Sequence, residues 1–151
     1  MAVSGKKGFR FVKIMVIAGI AALLSAAVLL GIMKSKQSIN EKNAIASLAL
    51  IRSAMESFRA GQTPRLYTNA VNLNVLSTAN PPYIGTALGS GTKQGYNFRL
   101  ADVTAYAYTI QARPVMPRVT GGRSFVLDET GLLRARQQSD WLKKGQGEII
   151  K

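Results

Sequence analysis

The stretch SINEKNAIASLALIRSAMESFRAG, residues 38–61, contains no proline and ends in a glycine. Its apolar residues recur at alternating spacings of four and three positions: Ala44, Leu48, Ile51, Met55 and Phe58. This spacing draws one apolar stripe along an α-helix, and most of the polar residues lie off it. We therefore predict an amphipathic helix that ends at Gly61 and needs a partner surface for its stripe.

The residues before this stretch form a long apolar run. No charged residue occurs at positions 14–33, and a helix of about 20 residues spans roughly 30 Å, the thickness of a bilayer's hydrocarbon core. Basic residues flank the run: Lys6, Lys7, Arg10 and Lys13 before it, Lys34 and Lys36 after it. Their excess on the N-terminal side predicts one membrane pass with the N-terminus inside and the C-terminus outside. A secretory signal removed near Ser25 is the competing interpretation, but the apolar sequence VLLGIM follows that site.

Beyond the helix, the hydrophobic period changes to two. Four segments are predicted as strands: YNFRLA (96–101), AYAYTIQAR (105–113), RSFVL (123–127) and LLRAR (132–136). They predict an antiparallel meander of about four strands, one face of which the helix stripe covers. We assign the aromatic residues of this region to sheet packing rather than to stacking with nucleic-acid bases: Tyr96, Phe98, Tyr106, Tyr108 and Phe125. The predicted fold class is α+β.

The segment between helix and sheet, residues 62–95, is rich in Thr, Asn, Pro, Gly and Ser, and we predict a flexible, loop-rich connection. It contains GSGTKQG, which has glycines in the manner of a phosphate-binding loop. The sequence lacks the Gly-Lys-Ser/Thr ending of such loops, and no strand–loop–helix context surrounds it. No nucleotide site is therefore expected here.

Composition restricts the chemistry that this chain can perform. It has no cysteine and no histidine, and its seven acidic residues are scattered. We therefore expect no catalytic residue, no metal site, no cofactor and no enzymatic activity. The net charge of +13 favours acidic partners such as nucleic acid, anionic lipid or acidic proteins. The candidate anion-binding residues are Arg99, Arg113, Arg118, Arg123, Arg134 and Arg136.

Three segments together resemble one bacterial family, the type IV pilins and type II secretion pseudopilins. MAVSGKKG resembles the short basic leader of that family, and NEKNAIASLALIRSA resembles its helix after the membrane segment. The C-terminal segment YTIQARPVMPRVTGGRSFVLDETGLLRA resembles its sheet, including the TG-RSF…DE-G ending. The resemblance implies a pilin-like fold, cleavage by prepilin peptidase between Gly8 and Phe9, and N-methylation of Phe9.

The resemblance also implies a division of the chain. In order along the chain, the expected segments are a leader (1–8), a transmembrane and assembly half-helix (9–33), an amphipathic half-helix (34–61), a loop-rich connection (62–95), an antiparallel sheet (96–136) and a C-terminal extension (137–151). The extension, which contains Trp141, goes beyond the usual end of the family.

One residue departs from the family pattern. Polymerising pilins usually carry glutamate at the fifth position after cleavage, and Lys13 stands there in this chain. In the family that carboxylate is thought to neutralise the N-terminal amine of a neighbouring subunit, which a lysine cannot do. Three interpretations stay open. Lys13 extends to the lipid headgroups in a poorly polymerising or tip subunit, or it pairs with an acidic neighbour in a minor subunit. In the third interpretation the leader is never cut and the protein stays a membrane-anchored relative.

These features predict a structural subunit of a type IV pilus or type II secretion pseudopilus, as a minor or tip component, with a main filament subunit as an open alternative. Its expected partners are other pilin or pseudopilin subunits, prepilin peptidase, the inner-membrane assembly platform, membrane lipid and DNA. It would lie in the bacterial inner membrane before assembly and in a periplasmic or cell-surface filament afterwards. The alternative function is a basic DNA- or surface-binding module anchored by an uncleaved signal-anchor helix.

Overall fold

A computed structural model describes residues 5–137 and 140–150, without the side chains of residues 5–9, 26, 27, 29 and 30. Part of the predicted leader (residues 1–4) and part of the predicted C-terminal extension (138, 139 and 151) therefore lie outside the described residues. The chain divides into two compact units, Met1–Ser35 and Lys36–Lys151. Its first and longest element is helix α1, Gly5–Ala60.

In the first unit, the described part of α1 exposes its large apolar side chains to solvent. Phe11 is 64% exposed, Ile17 is 67% exposed and Leu23 is 74% exposed. This unit contains no sheet among its described residues, so these side chains have nothing to pack against within the unit. Among the residues that the structure describes, no helix is both long and apolar enough to cross a membrane.

In the second unit, the C-terminal part of α1 buries the predicted stripe. All five of its residues are at most 6% exposed: Ala44, Leu48, Ile51, Met55 and Phe58. Two small residues that the pattern did not include, Ser47 and Ala54, are buried with them. The helix ends at Ala60, where the amide of Gly61 donates to the carbonyl oxygen of Ser57 at 3.2 Å. The predicted amphipathic helix and its stop are confirmed.

The second unit also contains one antiparallel sheet in which the strands are ordered as in the sequence. Its strands are β1 (Thr92–Lys93), β2 (Tyr96–Ala101), β3 (Thr109–Pro114), β4 (Ser124–Asp128), β5 (Leu133–Arg136) and β6 (Glu148–Ile149). The predicted meander is confirmed in its four central strands, but the predicted number of strands is wrong. Each added strand, β1 and β6, has only two residues, which is too short to show a period of two.

One predicted strand begins too early, and this changes the role of one aromatic residue. β3 starts at Thr109 rather than at residue 105. The preceding residues form a turn in which the amide of Thr104 donates to the carbonyl oxygen of Ala107 at 2.8 Å. Tyr106 lies in this turn and is 72% exposed, so its assignment to sheet packing was wrong. Tyr108, at the end of the turn, is fully buried as expected.

The segment 62–95 is not the flexible connection that its composition suggested. It contains two short helices, α2 (Leu73–Thr78) and α3 (Thr86–Gly89). The side chain of Asn72 caps α2 by accepting a hydrogen bond from the amide of Val75 at 3.1 Å. The segment contributes six buried residues to the core: Tyr67, Ala70, Leu73, Leu76, Ile84 and Leu88. Their irregular spacing gave no periodic signal, which is why the sequence did not reveal them.

The core lies between α1, the segment 62–95 and one face of the sheet. Side chains alternate between the two faces of a strand, and cross-strand partners share a face. Phe98 pairs with Ala112, which pairs with Phe125, which pairs with Ala135. All four of these residues are buried in the same core as the α1 stripe. We call this side of the sheet the core face and the opposite side the outer face.

Candidate functional site

The predicted processing and assembly residues lie on the first unit's part of α1. Gly8 and Phe9 have helical backbone, and their side chains are outside the described residues. Lys13 lies one turn further along the helix and is exposed. The structure therefore gives these three residues a helical backbone.

Four of the six candidate arginines lie on the outer face of the sheet. Arg99 pairs with Gln111, Gln111 with Val126, and Val126 with Arg134, so these residues share one face. Phe98, the residue before Arg99, lies on the core face. Because side chains alternate along a strand, the row that contains Arg99 lies on the outer face. The same alternation adds two more arginines to the outer face: Arg113 opposite Asn97, and Arg136 opposite Ser124.

Trp141, from the C-terminal extension, lies against two of these arginines. The guanidinium carbons of Arg99 and Arg113 lie 4.2 Å and 4.6 Å from the centre of its indole ring. Arg99 also donates from Nε to Oε1 of Gln111 at 2.7 Å. Both guanidinium groups are therefore held in cation–π contact with one aromatic ring.

The extension covers part of the outer face instead of continuing away from the domain. Leu142 is fully buried and Val126 is 2% exposed, and neither belongs to the main core. Gln111 on the same face is also 2% exposed, although its side chain is polar. One signal for this role was visible in the sequence, since Trp141 is the single tryptophan of the chain. Trp141 is therefore a contact residue of the arginine-bearing face, a role that was not predicted from the sequence.

The other two candidate arginines, Arg118 and Arg123, lie in the loop between β3 and β4. Arg123 forms a salt bridge with Glu41 of α1, in which Nη2 of the arginine lies 2.7 Å from Oε2 of the glutamate. Arg118 is exposed and has a φ of 63°, in the left-handed region that favours glycine. The six arginines therefore do not form one site: four mark the outer face and two belong to this loop.

Three polar side chains of α1 fix this loop to the helix. Asn40 donates from Nδ2 to the carbonyl oxygen of Thr120 at 2.8 Å, and Gln37 donates to the carbonyl oxygen of Arg118. Oε1 of Glu41 accepts from the amide of Gly122 at 3.0 Å. These contacts join residues about 80 positions apart in the chain, so no local spacing of polar residues could predict them.

A second polar cluster lies further along α1, around Glu56. Oε1 of this carboxylate accepts hydrogen bonds from the hydroxyl groups of Tyr67 at 2.7 Å and Tyr108 at 3.3 Å. Burial raises the pKa of both tyrosines, and the nearby Glu56 raises it further. Arg59 donates to the hydroxyl of Tyr67 at 3.2 Å and lies over its ring. The raised pKa values keep both phenols protonated, so both act as hydrogen-bond donors to Glu56.

A groove of about 460 Å³ lies beside this cluster, and its lining joins α1 to strands β4 and β5. Its lining residues are Ile45, Ala49, Arg52, Ser53, Glu56, Leu127, Gly131 and Leu133. Arg52 packs against Gly131, where a Cβ would stand 2.8 Å from the guanidinium carbon. Within residues 5–137 and 140–150, no cluster of three or more acidic side chains could hold a metal ion. The groove thus offers a mixed apolar and charged surface.

No protein-family model, curated protein or solved structure matches this chain.

Proposed function

We propose that this protein is a structural subunit of a type IV pilus or type II secretion pseudopilus. In this proposal prepilin peptidase cleaves the chain between Gly8 and Phe9, Phe9 becomes N-methylated, and α1 enters the filament core. The observation that carries the proposal is the exposed apolar surface of α1 in the first unit, on a helix whose C-terminal part packs on an antiparallel sheet.

The exposed surface requires a cover. Soluble monomers rarely expose contiguous apolar patches larger than a few hundred Å². Here the described part of α1 has large apolar residues exposed on every side, including Phe11 and Val12 before Lys13, and Ile14 and Met15 after it. A helix that is apolar all round is stable inside a bilayer or among other apolar helices. The charge-free run at 14–33 fits both environments in turn: the inner membrane before assembly and the filament core afterwards.

Lys13 supports a minor or tip role within this proposal. A carboxylate at this position would attract the N-terminal amine of a neighbouring copy, whereas the ammonium group of lysine repels it. A subunit with lysine here is better suited to the end of a filament, or to a neighbour that supplies a carboxylate. The partners proposed on this basis are other pilin or pseudopilin subunits, prepilin peptidase and the inner-membrane assembly platform.

Intact-mass analysis of protein extracted from membranes tests the proposal. In cells with active prepilin peptidase, the expected mass lacks residues 1–8 and carries one methyl group on Phe9. Gly8→Val should remain uncleaved. Gly19→Ala is the matched control, because a Cβ at Gly19 meets no atom within 4 Å, and it should be processed normally. A native chain that still begins at Met1 in these cells contradicts the proposal.

A second candidate function rests on the outer face of the sheet. Four arginines share this face and Trp141 stacks on two of them, an arrangement of charge and aromatic surface that suits DNA or another polyanion. In this candidate, the leader is not cut and α1 anchors a basic binding module in the membrane.

The single tryptophan makes this candidate measurable. Phosphate contacts at Arg99 and Arg113 should change the emission of Trp141, and the affinity should fall steeply as salt rises. The variant R99Q/R113Q should lower the logarithmic salt slope by about 2 if both arginines contact phosphates. Arg65→Gln, which removes a charge elsewhere, is the control. If titration of the full chain with duplex DNA leaves the emission of Trp141 unchanged, the result argues against this candidate.

A further inference from the structure

The loop between β3 and β4 exposes a small apolar surface around a basic residue. Val115 is 44% exposed, Met116 is 54% exposed and Val119 is 46% exposed. Arg118 lies among them and is also exposed. Residues 114–123 contain no acidic side chain. A tip with three exposed apolar side chains and a cation is unusual for a surface loop, which is usually polar.

The backbone of this loop is held in one conformation by its own hydrogen bonds. The amide of Val115 donates to the carbonyl oxygen of Gly95 at 2.9 Å, and the amide of Arg118 donates to the carbonyl oxygen of Gly121 at 2.9 Å. The amide of Met116 donates to Oγ1 of Thr120 at 3.0 Å, and that hydroxyl donates back to the carbonyl oxygen of Met116. The apolar side chains are therefore displayed by a pre-ordered loop and not by a loose segment.

The loop is attached to the earliest residues of α1 in the second unit, Gln37, Asn40 and Glu41. Gln37 lies only four positions after Met33, the last residue of the charge-free run. Four residues span at most about 14 Å, whatever their conformation. If the run at 14–33 is inserted in a membrane, the loop is therefore tethered close to the surface of that membrane.

The charges near the loop suit an anionic surface. Glu41, the acidic residue that contacts the loop, is already neutralised by its salt bridge with Arg123. Arg118 at the tip and Lys36, one helical turn before Asn40, are both exposed. Binding at a membrane interface has two components. Apolar side chains enter the headgroup boundary, and basic side chains contact the anionic headgroups.

We propose that residues 115–120 form a membrane-contacting surface, in which Val115, Met116 and Val119 enter the headgroup region of an anionic bilayer and Arg118 binds lipid phosphate. This inference rests on the proposed function only in requiring that the run at 14–33 be inserted in the membrane. It adds a second attachment, which would fix the orientation of the sheet domain on the membrane before the subunit is extracted into a filament.

The absence of cysteine from the chain permits a direct test. Met116→Cys and Val71→Cys are each labelled with an environment-sensitive fluorophore in the full-length protein. Val71, which is 65% exposed, is the matched control, because it lies far from the residues of α1 that hold the loop. It comes four positions after Tyr67, whose hydroxyl contacts Glu56. Glu56 lies 16 residues after Asn40 on the same helix, a distance of about 24 Å. Both proteins are reconstituted into phosphatidylglycerol–phosphatidylcholine vesicles with and without nitroxide-labelled lipids.

The expected result is a blue-shifted emission at position 116 that nitroxide lipids quench, with neither effect at position 71. Emission at 116 that matches water, in protein that resists alkaline extraction, overturns this inference and leaves the proposed function standing. A blue shift at 116 without quenching by lipid nitroxides also overturns it, because the loop is then covered by another protein copy. Protein removed by alkaline extraction contradicts membrane insertion itself, and with it both proposals.

Arg118→Gly tests the phosphate contact without disturbing the loop. Its φ of 63° is more favourable for glycine than for arginine, so the loop should keep its conformation. In vesicles containing phosphatidylglycerol, R118G should reduce the quenching of the label at position 116. Quenching in vesicles of phosphatidylcholine alone should be the same with and without the substitution. If R118G and the parent protein are quenched equally in each vesicle type, Arg118 does not contribute to the proposed surface.

Discussion

Glu41 and Arg123, which are 82 positions apart in the sequence, form a salt bridge of 2.7 Å between α1 and the residue that precedes β4. The glutamate side chain is only 13% exposed, and its other oxygen accepts a hydrogen bond from the amide of Gly122. One carboxylate thus fixes the helix, the β3–β4 loop and the start of a central strand. Stability and loop position are therefore coupled at this residue.

Glu41→Ala should lower the free energy of unfolding of the second unit by about 1–2 kcal/mol, because it leaves the amide of Gly122 and the guanidinium of Arg123 without their acceptor. Glu41→Gln keeps an acceptor oxygen for the amide and should cost less than about 1 kcal/mol, since the remaining loss is a partly exposed ion pair. Urea unfolding monitored by circular dichroism measures both. Equal losses in the two variants would show that the carboxylate's charge, and not its hydrogen bond to Gly122, is what matters.

Gly121→Ala should destabilise the β3–β4 loop. A Cβ at this position would stand 2.0 Å from the hydroxyl oxygen of Tyr96, a buried side chain that donates to the carbonyl oxygen of Arg123 at 2.9 Å. Overpacking of this kind costs about 1–3 kcal/mol. Gly85→Ala is the control, because nothing lies within 4 Å of its Cβ. Thermal unfolding measures the difference, and a Gly121→Ala protein as stable as Gly85→Ala would contradict the close approach of Tyr96.

Alkaline pH should destabilise the fold through the tyrosines around Glu56. The folded pKa values of Tyr67 and Tyr108 are raised above the ordinary value of 10.0, by burial first and then by Glu56. Their contribution is therefore fully present below about pH 10 and is lost as the pH rises above it, because only the unfolded state ionises easily. Tyr108→Phe should flatten the fall in stability above pH 10 relative to the parent. Parallel pH–stability curves for both proteins would show that Tyr108 does not contribute.

Trp141→Ala should weaken the attachment of the C-terminal extension to the outer face. Loss of two cation–π contacts, with Arg99 and Arg113, corresponds to about 1–2 kcal/mol. Trp141→Phe keeps an aromatic face and should retain much of that stability. Limited proteolysis of residues 140–150 and urea unfolding measure the two effects. Unchanged proteolysis in Trp141→Ala would mean that Leu142 and strand β6 hold the extension without the indole.

Lys13→Glu should increase self-assembly in cells that supply prepilin peptidase and the assembly platform. Two like charges about 4 Å apart repel by about 4 kcal/mol at an effective dielectric near 20, and a carboxylate at this position replaces that repulsion with attraction to the N-terminal amine. Lys36→Glu makes the same charge change beyond the other end of the charge-free run and should leave filament number unchanged. Electron microscopy counts the filaments. Long filaments from the unmodified chain, without gain in Lys13→Glu, would make it a main pilin.

The sequence by itself determined the elements that carry a period. The stripe from Ala44 to Phe58 repeats every three to four residues, so it specified both a helix and the side of that helix which is buried. Tyr96–Ala101 alternates with a period of two and matches β2 from end to end. Gly61 marked the helix end correctly. These features are local, because each depends on side chains only a few positions apart.

Only the tertiary structure decided which distant residues meet. Strand pairing places Arg99 and Arg113 on one face, and the fold then places Trp141 on both. The six arginines looked equivalent in the sequence, yet the structure divides them between that face and a loop fixed by Glu41. Tyr106 and Tyr108 are two positions apart, and one is exposed while the other is buried, because β3 begins only after them. Such contacts depend on register and chain closure, which no local pattern encodes.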